Sequence, residues 1–257
     1  MPHLQRAAIC LFLTLFLASS VQAQLLNVER VRGETDETGW NGNLGFDFSV
    51  NRYKDRVLKV ANSANTSYNT ENHTYLFLTN LELVNVDGSS LISSGYFHLR
   101  STLLRNRTVS PEMFLQYQYN NNLGLNNRVL AGTGIRIQLI SARQFSGHFQ
   151  TGLMYEYEDW DVPDLEDPVE TRYLKSTSNI SFIGDINEQT SLLLIGYYQA
   201  RPDRFFTPRA ILESQLRVRM GRYISLAVSF TMQHDANPVS DIPSLTYELK
   251  NGVLISF

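Results

Sequence analysis

The sequence predicts an all-β fold, an antiparallel transmembrane β-barrel of about twelve strands closed by the C-terminal strand that ends in Phe257. Three observations predict it. Apolar and polar residues alternate with period two through most of the chain, and helical periodicity is nowhere competitive. The alternating segments are long enough to cross a bilayer, for which a tilted strand needs about 9–11 residues. Full charges keep to the parity opposite the aromatic and aliphatic residues. Reversing that parity would set Arg128, Arg136, Arg217 and Arg219 against lipid, at about 2–4 kcal/mol each near the midplane. A water-borne β-sandwich also alternates, but long strands, charged faces and a final strand ending on an aromatic residue weigh against it.

The first residues are not part of that barrel. Residues 1–23 carry His3 and Arg6, an apolar run over 7–18, and Val21-Gln22-Ala23, a secretory signal cut before Gln24. The run is about a dozen residues, short of the roughly 20 that a spanning helix needs. Cys10, the one cysteine, lies inside it, so the processed chain has no disulfide, thiolate metal site or cysteine nucleophile. With no lipid-accepting cysteine at the cut, the destinations left are periplasm and outer membrane. Residues 24–38 form a short lead, and the barrel occupies 39–257. Beyond the signal no run of about 18 apolar residues exists, so no helix is expected to span. A net charge of −3, unsegregated, argues against a nucleic-acid partner.

Each strand is read from its alternation. The first is clear, with Trp40, Gly42, Leu44, Phe46, Phe48 and Val50 against Asn41, Asn43, Gly45, Asp47 and Ser49. The second, 55–68, is weak. The third sets Tyr75, Phe77, Leu81 and Leu83 against Thr74, Asn80 and Glu82; the fourth sets Phe97 and Leu99 against His98 and Arg100. In the fifth, Met113, Leu115, Tyr117 and Tyr119 oppose Glu112, Gln116, Gln118 and Asn120. In the sixth, Val129, Ala131, Ile135, Ile137 and Leu139 oppose Arg128, Gly132, Gly134, Arg136 and Gln138. The seventh places Phe149, Leu153, Tyr155 and Tyr157 against His148, Gln150, Glu156 and Glu158; the eighth, 171–183, places Leu174, Ile180 and Phe182 against Lys175, Thr177 and Asn179. The ninth, 190–199, has no readable register because Leu192 to Ile195 are all apolar. The tenth sets Leu212, Leu216, Val218 and Met220 against Glu213, Gln215, Arg217 and Arg219, and the eleventh sets Ile224, Leu226, Val228, Phe230 and Met232 against Ser225, Ala227, Ser229 and Thr231.

The closing strand alternates Leu245, Tyr247, Leu249, Val253, Ile255 and Phe257 with mostly small or polar residues. Tyr247, Val253, Ile255 and Phe257 resemble the C-terminal signal of outer-membrane barrels, which implies handling by an outer-membrane assembly machinery. Connections test the orientation. With both termini in the periplasm, even-numbered gaps should be tight and odd-numbered ones longer. Gaps 68–72, 141–144, 184–187 and 221–222 are expected to be tight; 84–90, 120–127, 159–170 and 234–243 are expected to be loops. Gaps 51–54 and 104–109 go against the rule.

Residues 94–158 carry a pattern: His98-Leu99-Arg100, Phe114, Gln116, Gln118, Asn120, Leu125, Arg128, Leu130, Gly132, Gly134 and Arg136, then Gly152 and Glu156. It resembles the salt-induced outer-membrane protein family, otherwise a domain of unknown function. The resemblance implies an outer-membrane barrel of a Gram-negative bacterium, hints at salt or osmotic stress, and gives no agreed activity.

The shared parity places His98, Arg100, Glu112, Gln116, Gln118, Arg128, Arg136, His148, Glu156 and Glu158 in the lumen, with Glu213, Arg217 and Arg219 on another wall. One expectation is a structural network, since unpaired buried charges are costly and a narrow barrel is largely filled by side chains. The other is a narrow, charge-lined channel for ions or small polar solutes. His148 with Glu156 would be the acid–base pair of an enzyme, but a histidine among lumen charges more often serves as a hydrogen-bond partner. No catalytic, cofactor or metal site is expected. Residues 159–170 are rich in oxygen ligands but lack calcium-loop spacing. The expected partners are outer-membrane lipids, lipopolysaccharide and the assembly machinery.

Overall fold

The computed structural model describes residues 38–52, 56–86, 89–162, 165–239 and 243–256. The signal 1–23, the lead up to residue 37, and Phe257 lie outside the described residues. The rest folds as twelve antiparallel strands: β1 (Gly39–Arg52), β2 (Arg56–Asn69), β3 (His73–Val86), β4 (Ser89–Leu103), β5 (Val109–Asn120), β6 (Leu125–Ala142), β7 (Phe145–Trp160), β8 (Val169–Asp185), β9 (Thr190–Ala200), β10 (Arg209–Arg219), β11 (Ile224–Asp235) and β12 (Leu245–Ser256). Each strand pairs with its sequence neighbours, and β1 meets β12 to close the barrel, with Asn43 opposite Ser256 and Phe46 opposite Val253. Closure leaves no sheet edge along that seam for strangers to pair with. Among the described residues, no helix is long and apolar enough to cross a membrane.

Alternation decides which side chains face in. Phe77, Leu99, Leu115, Leu153, Leu174, Leu212, Leu226 and Leu249 are exposed on the outer wall. Glu112, Gln116, Arg128, Glu156, Glu213 and Gln215 are buried inside. A water-borne protein does the reverse. Each such side chain would gain about 1.5–3 kcal/mol if removed from water, so a continuous belt of them fits a hydrocarbon surrounding.

Strict period two breaks in β6. Irregularities between Leu125 and Asn127 and between Gln138 and Ile140 insert an extra residue on the β6 side. Leu125 and Arg128, three apart, are therefore both buried. The same extra residue at the other end leaves Leu139 and Ile140 exposed together. Between the two irregularities, Gly134 lies directly opposite Gly152. A Cβ on Gly152 would sit 2.2 Å from the Thr133 carbonyl oxygen, and one on Gly134 would sit 2.4 Å from that of Thr151. The backbones of β6 and β7 approach closely there because neither position carries a side chain.

The connections correct part of the expected pattern. The end that carries Gly39 and Ser256 has the gaps 70–72, 104–108, 143–144, 186–189 and 220–223; we call it the termini end. The opposite, loop end has 53–55, 87–88, 121–124, 161–168, 201–208 and 236–244. Segment 84–90 is not a loop. Its strands run on until Val86 pairs with Ser89. The weak second strand pairs along its full length with both neighbours, because backbone bonding does not require apolar side chains. The ninth strand turns Leu193, Ile195 and Tyr197 inward and Leu194 outward.

Candidate functional site

The interior is organised as two storeys of side chains, each with a link that spans non-adjacent strands. The storey towards the termini end is built on β4, β5, β7 and β8. Arg100 Nη1 donates to Glu112 Oε2 at 3.1 Å and to Gln150 Oε1 at 2.8 Å. The same Gln150 oxygen accepts from Asn179 Nδ2 at 2.7 Å. Thr102 Oγ1 fills the other Glu112 oxygen at 2.7 Å. Strand order puts β4 three strands from β7, so Arg100–Gln150 is a chord across the interior rather than a contact along the wall.

The ring of Phe114 is the floor of this storey. His98 stacks on it at 5.8 Å between centroids, and the Arg100 guanidinium lies over it at 5.1 Å. Phe114 in turn rests on Gly132, where a Cβ would come within 2.4 Å of the ring. Sequence gave no reason to see that contact; the glycine is the trace it leaves.

The storey towards the loop end is ionic. Arg128 Nη2 donates to Glu156 Oε1 at 2.5 Å, and Arg128 Nε lies 3.1 Å from Glu158 Oε1. Lys175 pairs with the second oxygen of Glu156. Arg209 Nη1 reaches Glu158 Oε1 at 2.8 Å and Glu156 Oε1 at 3.4 Å, while its Nε holds Asp235 Oδ2 at 2.8 Å. Arg209 starts β10 and the two glutamates end β7, again three strands apart. Three cations (Arg128, Lys175, Arg209) meet three carboxylates (Glu156, Glu158, Asp235), and the group is neutral. Trp160 closes it above, its indole N–H donating to Glu158 Oε2 at 3.1 Å. Arg128 is 1% exposed and Glu156 0%. Charges this dry are tolerated only when each meets its partners.

Of the lumen residues expected from sequence, His98, Arg100, Glu112, Gln116, Gln118, Arg128, Arg136, Glu156, Glu158 and Glu213 are buried. His148 and Arg217 are half-buried, and Arg219 is exposed where β10 meets the turn. The structure brings most of the β4–β7 residues into the two storeys and leaves Glu213, Arg217 and Arg219 on the separate wall of β10. Sequence reading set Lys175 on the polar face of the eighth strand without counting it in the lumen network, and it missed Arg209 and Asp235. Arg209 carries a legible signal, since it shares the odd parity of Glu213 and Arg217; Asp235 falls beyond the last clear alternation of β11. It also missed the apolar interior patch of Leu193, Ile195, Tyr197 and Ile211, with Ile183 against it. Tyr247, Val253 and Ile255 are exposed on the outer wall of β12. Among the described residues, no group of His, Cys, Asp and Glu could hold a metal ion.

The inner wall of β4–β7 has a further property. Every residue of the pattern that begins at His98 lies on it except Leu99, which points outward. Residues 58–257 match the sequence profile of a family described as "Protein of unknown function, DUF481". The chain belongs to the DUF481 family. That description contains no salt response. No curated protein matches the chain. Among solved structures, the translocator domain of the autotransporter NalP from Neisseria meningitidis is similar at 10% identity and a TM-score of 0.48, covering 89% of this chain and 94% of that one. The KdgM porin, solved with disordered oligogalacturonate, is similar at 9% identity and a TM-score of 0.45, covering 84% and 99%. The CymD monoaromatic hydrocarbon channel stands at 8% and 0.45, covering 86% and 89%. So distant a likeness carries nothing about the activity of this DUF481 barrel.

Proposed function

We propose that this chain is an outer-membrane barrel with a closed, charge-paired lumen, serving the envelope structurally rather than catalysing a reaction. The observation that carries this reading is the pair of chords, Arg100 to Gln150 and Arg209 to Glu158, laid across an interior in which Arg100, Glu112, Arg128, Glu156 and Glu158 are buried. A filled lumen of this kind resists solute passage because opening it would strand buried charges. The apolar outer belt supports the membrane setting, and the shorter connections at the termini end support both termini lying in the periplasm. Outer-membrane lipids, lipopolysaccharide and the assembly machinery are its proposed partners. A part in salt or osmotic stress rests on the sequence resemblance alone. It is tested by the growth of a deletion strain under salt.

The test of the closed lumen is planar-bilayer recording on the folded chain, with liposome swelling in solutes of graded size. Unit conductance near baseline and no swelling are expected. Steady, ion-selective openings in the unmodified protein would instead favour a narrow channel. One feature supports that second reading: beyond Asp235 at the loop end, the inner face of β11 carries only Ser225, Ala227 and Ser229 along its middle, small groups that reach little way into the interior.

A further inference from the structure

The connection between β9 and β10, residues 201–208, sends side chains to both faces of the barrel wall. It straddles the rim. A 3₁₀ turn, Pro202–Arg204, starts it and packs beside β8. Arg201 turns inward, its guanidinium 4.4 Å from the centroid of Tyr173, whose strand partner Glu156 is an interior residue. Arg201 is held there by a two-pronged pair with Asp203, at 2.9 and 2.5 Å. Phe205 turns the other way. Its ring sits 5.1 Å from that of Tyr198, and the Tyr198 hydroxyl donates to the Phe205 carbonyl. Tyr198 shares its parity with the exposed Leu194, and its strand partners are Ser178 and Ala210, all on the outer wall. Ala200 has the same outward parity yet is only 2% exposed, as expected if the chain folds down over it.

Phe206 is the consequence. It packs edge-on against Phe205 at 5.7 Å and is otherwise bare, 91% exposed. A tip that is fixed by a hydrogen bond, an ion pair and two ring contacts, yet presents a whole phenyl group outward, has paid its ordering cost before meeting anything. Leu194 and Leu212, on the two strands that the connection joins, are exposed on the outer wall. Arg204, exposed on the same turn, supplies a cation near Phe206 in the chain.

We propose that residues 201–208 are a lipid-docking knuckle, which inserts Phe206 into the boundary between headgroups and acyl chains of the leaflet at the loop end and so fixes the height of the barrel there. An aromatic ring on a pinned loop beside a cation suits that boundary. The proposal rests on the membrane reading above and adds the occupant of one loop.

Spin labelling separates the two. Single-cysteine chains F206C, L194C and E166C, each on a Cys10→Ser background, are folded into vesicles of phosphatidylcholine and phosphatidylglycerol. Collision with oxygen and with a water-soluble nickel chelate is then measured. At 206 the nickel collision rate should fall about fivefold below that at the exposed loop position 166 and approach that at 194. If 206 behaves like 166 while 194 is in lipid, the knuckle is wrong and the barrel reading stands. If 194 is itself bathed by nickel, the membrane reading fails and takes the knuckle with it. Low collision with both reagents at 206 means contact with another protein chain and also overturns lipid docking. Tyr198→Phe in the F206C chain removes the pin, and the label should move towards water; an unchanged depth, with 194 still in lipid, refutes the pinning.

Discussion

Arg100 Nε lies 3.3 Å from His98 Nε2 and donates to it. A guanidinium has no lone pair to offer, so the histidine nitrogen must be the acceptor. That assigns the neutral ring with its proton on Nδ1, which points at Gln116 Oε1 at 3.0 Å. Gln116 passes the direction on, its amide donating to Gln118 Oε1 at 3.2 Å. Nitrogen-15 shifts of the folded chain should therefore show Nδ1 protonated and Nε2 bare. His98→Ala should cost about 1–3 kcal/mol in a urea titration, because a buried arginine donor and an amide oxygen lose partners together. A ring protonated on Nε2 would contradict the direction of the whole run.

The ionic storey makes a second prediction, about Arg209. Arg209→Met keeps much of the side-chain volume but removes the fork that ties Glu158 and Asp235. Breaking one side of a buried pair costs about 3–5 kcal/mol. The midpoint of urea unfolding should fall accordingly, and bilayer recordings should show openings that the unmodified chain lacks. Arg172→Met is the control. Its pair with Glu170 is exposed on both sides, at 62% and 51%, so a loss of about 0–1 kcal/mol is expected. Equal losses for the two variants would show that the Arg209 chord is not under load.

Parity explains why so much of the interior was legible. In β5, β7 and β10 the charged and amide residues keep to the inward parity, with apolar or small residues such as Phe114, Gly152, Met154 and Ile211 among them, and one look at alternation places Glu112, Gln116, Glu156 and Glu213 together. Chords are not legible that way. Arg209 and Glu158 are 51 residues apart, and nothing in either strand encodes which strand it will face across the interior. Barrel closure sets that, through strand number and stagger. The ninth strand was unreadable for a different reason. It puts leucine on both faces, because its inward side packs with Ile211 instead of meeting a charge. Segment 84–90 misled because it lacks an apolar rhythm, although backbone pairing to Val86 and Ser89 needs none.

The close approach of β6 and β7 predicts an asymmetric response to adding one methyl group. At Gly152 the new carbon would meet the Thr133 oxygen at 2.2 Å and the Gly134 Cα at 2.7 Å, both backbone atoms that cannot swing aside. Gly152→Ala should lower stability by about 1–3 kcal/mol, the usual range for overpacking. Gly221→Ala meets nothing within 4 Å in its turn and should be close to neutral. Thermal unfolding followed by the heat-dependent mobility of the folded band on a gel would compare them. A harmless Gly152→Ala would mean that the strands separate more readily than the geometry allows.

Asp203 supplies a pH dependence outside the barrel wall. Hydrogen bonds from the Arg201 guanidinium hold its carboxyl below the ordinary value of 3.8. A carboxylate whose folded value is depressed contributes order that is complete above its unfolded value and is lost as pH falls through the folded one. The β9–β10 connection should therefore stay ordered from neutrality down through pH 5, and loosen only below the usual carboxylate range. Asp203 is exposed in the connection, so the effect belongs to the loop and not to the barrel. A spin label at position 206 would report it as a gain in mobility on acidification. In Asp203→Asn the carboxylate is gone, so the label should be mobile already at neutral pH and show no acid transition. If Asp203→Asn were as ordered as the parent at pH 7, the Arg201 pair would not be what holds the loop across the rim.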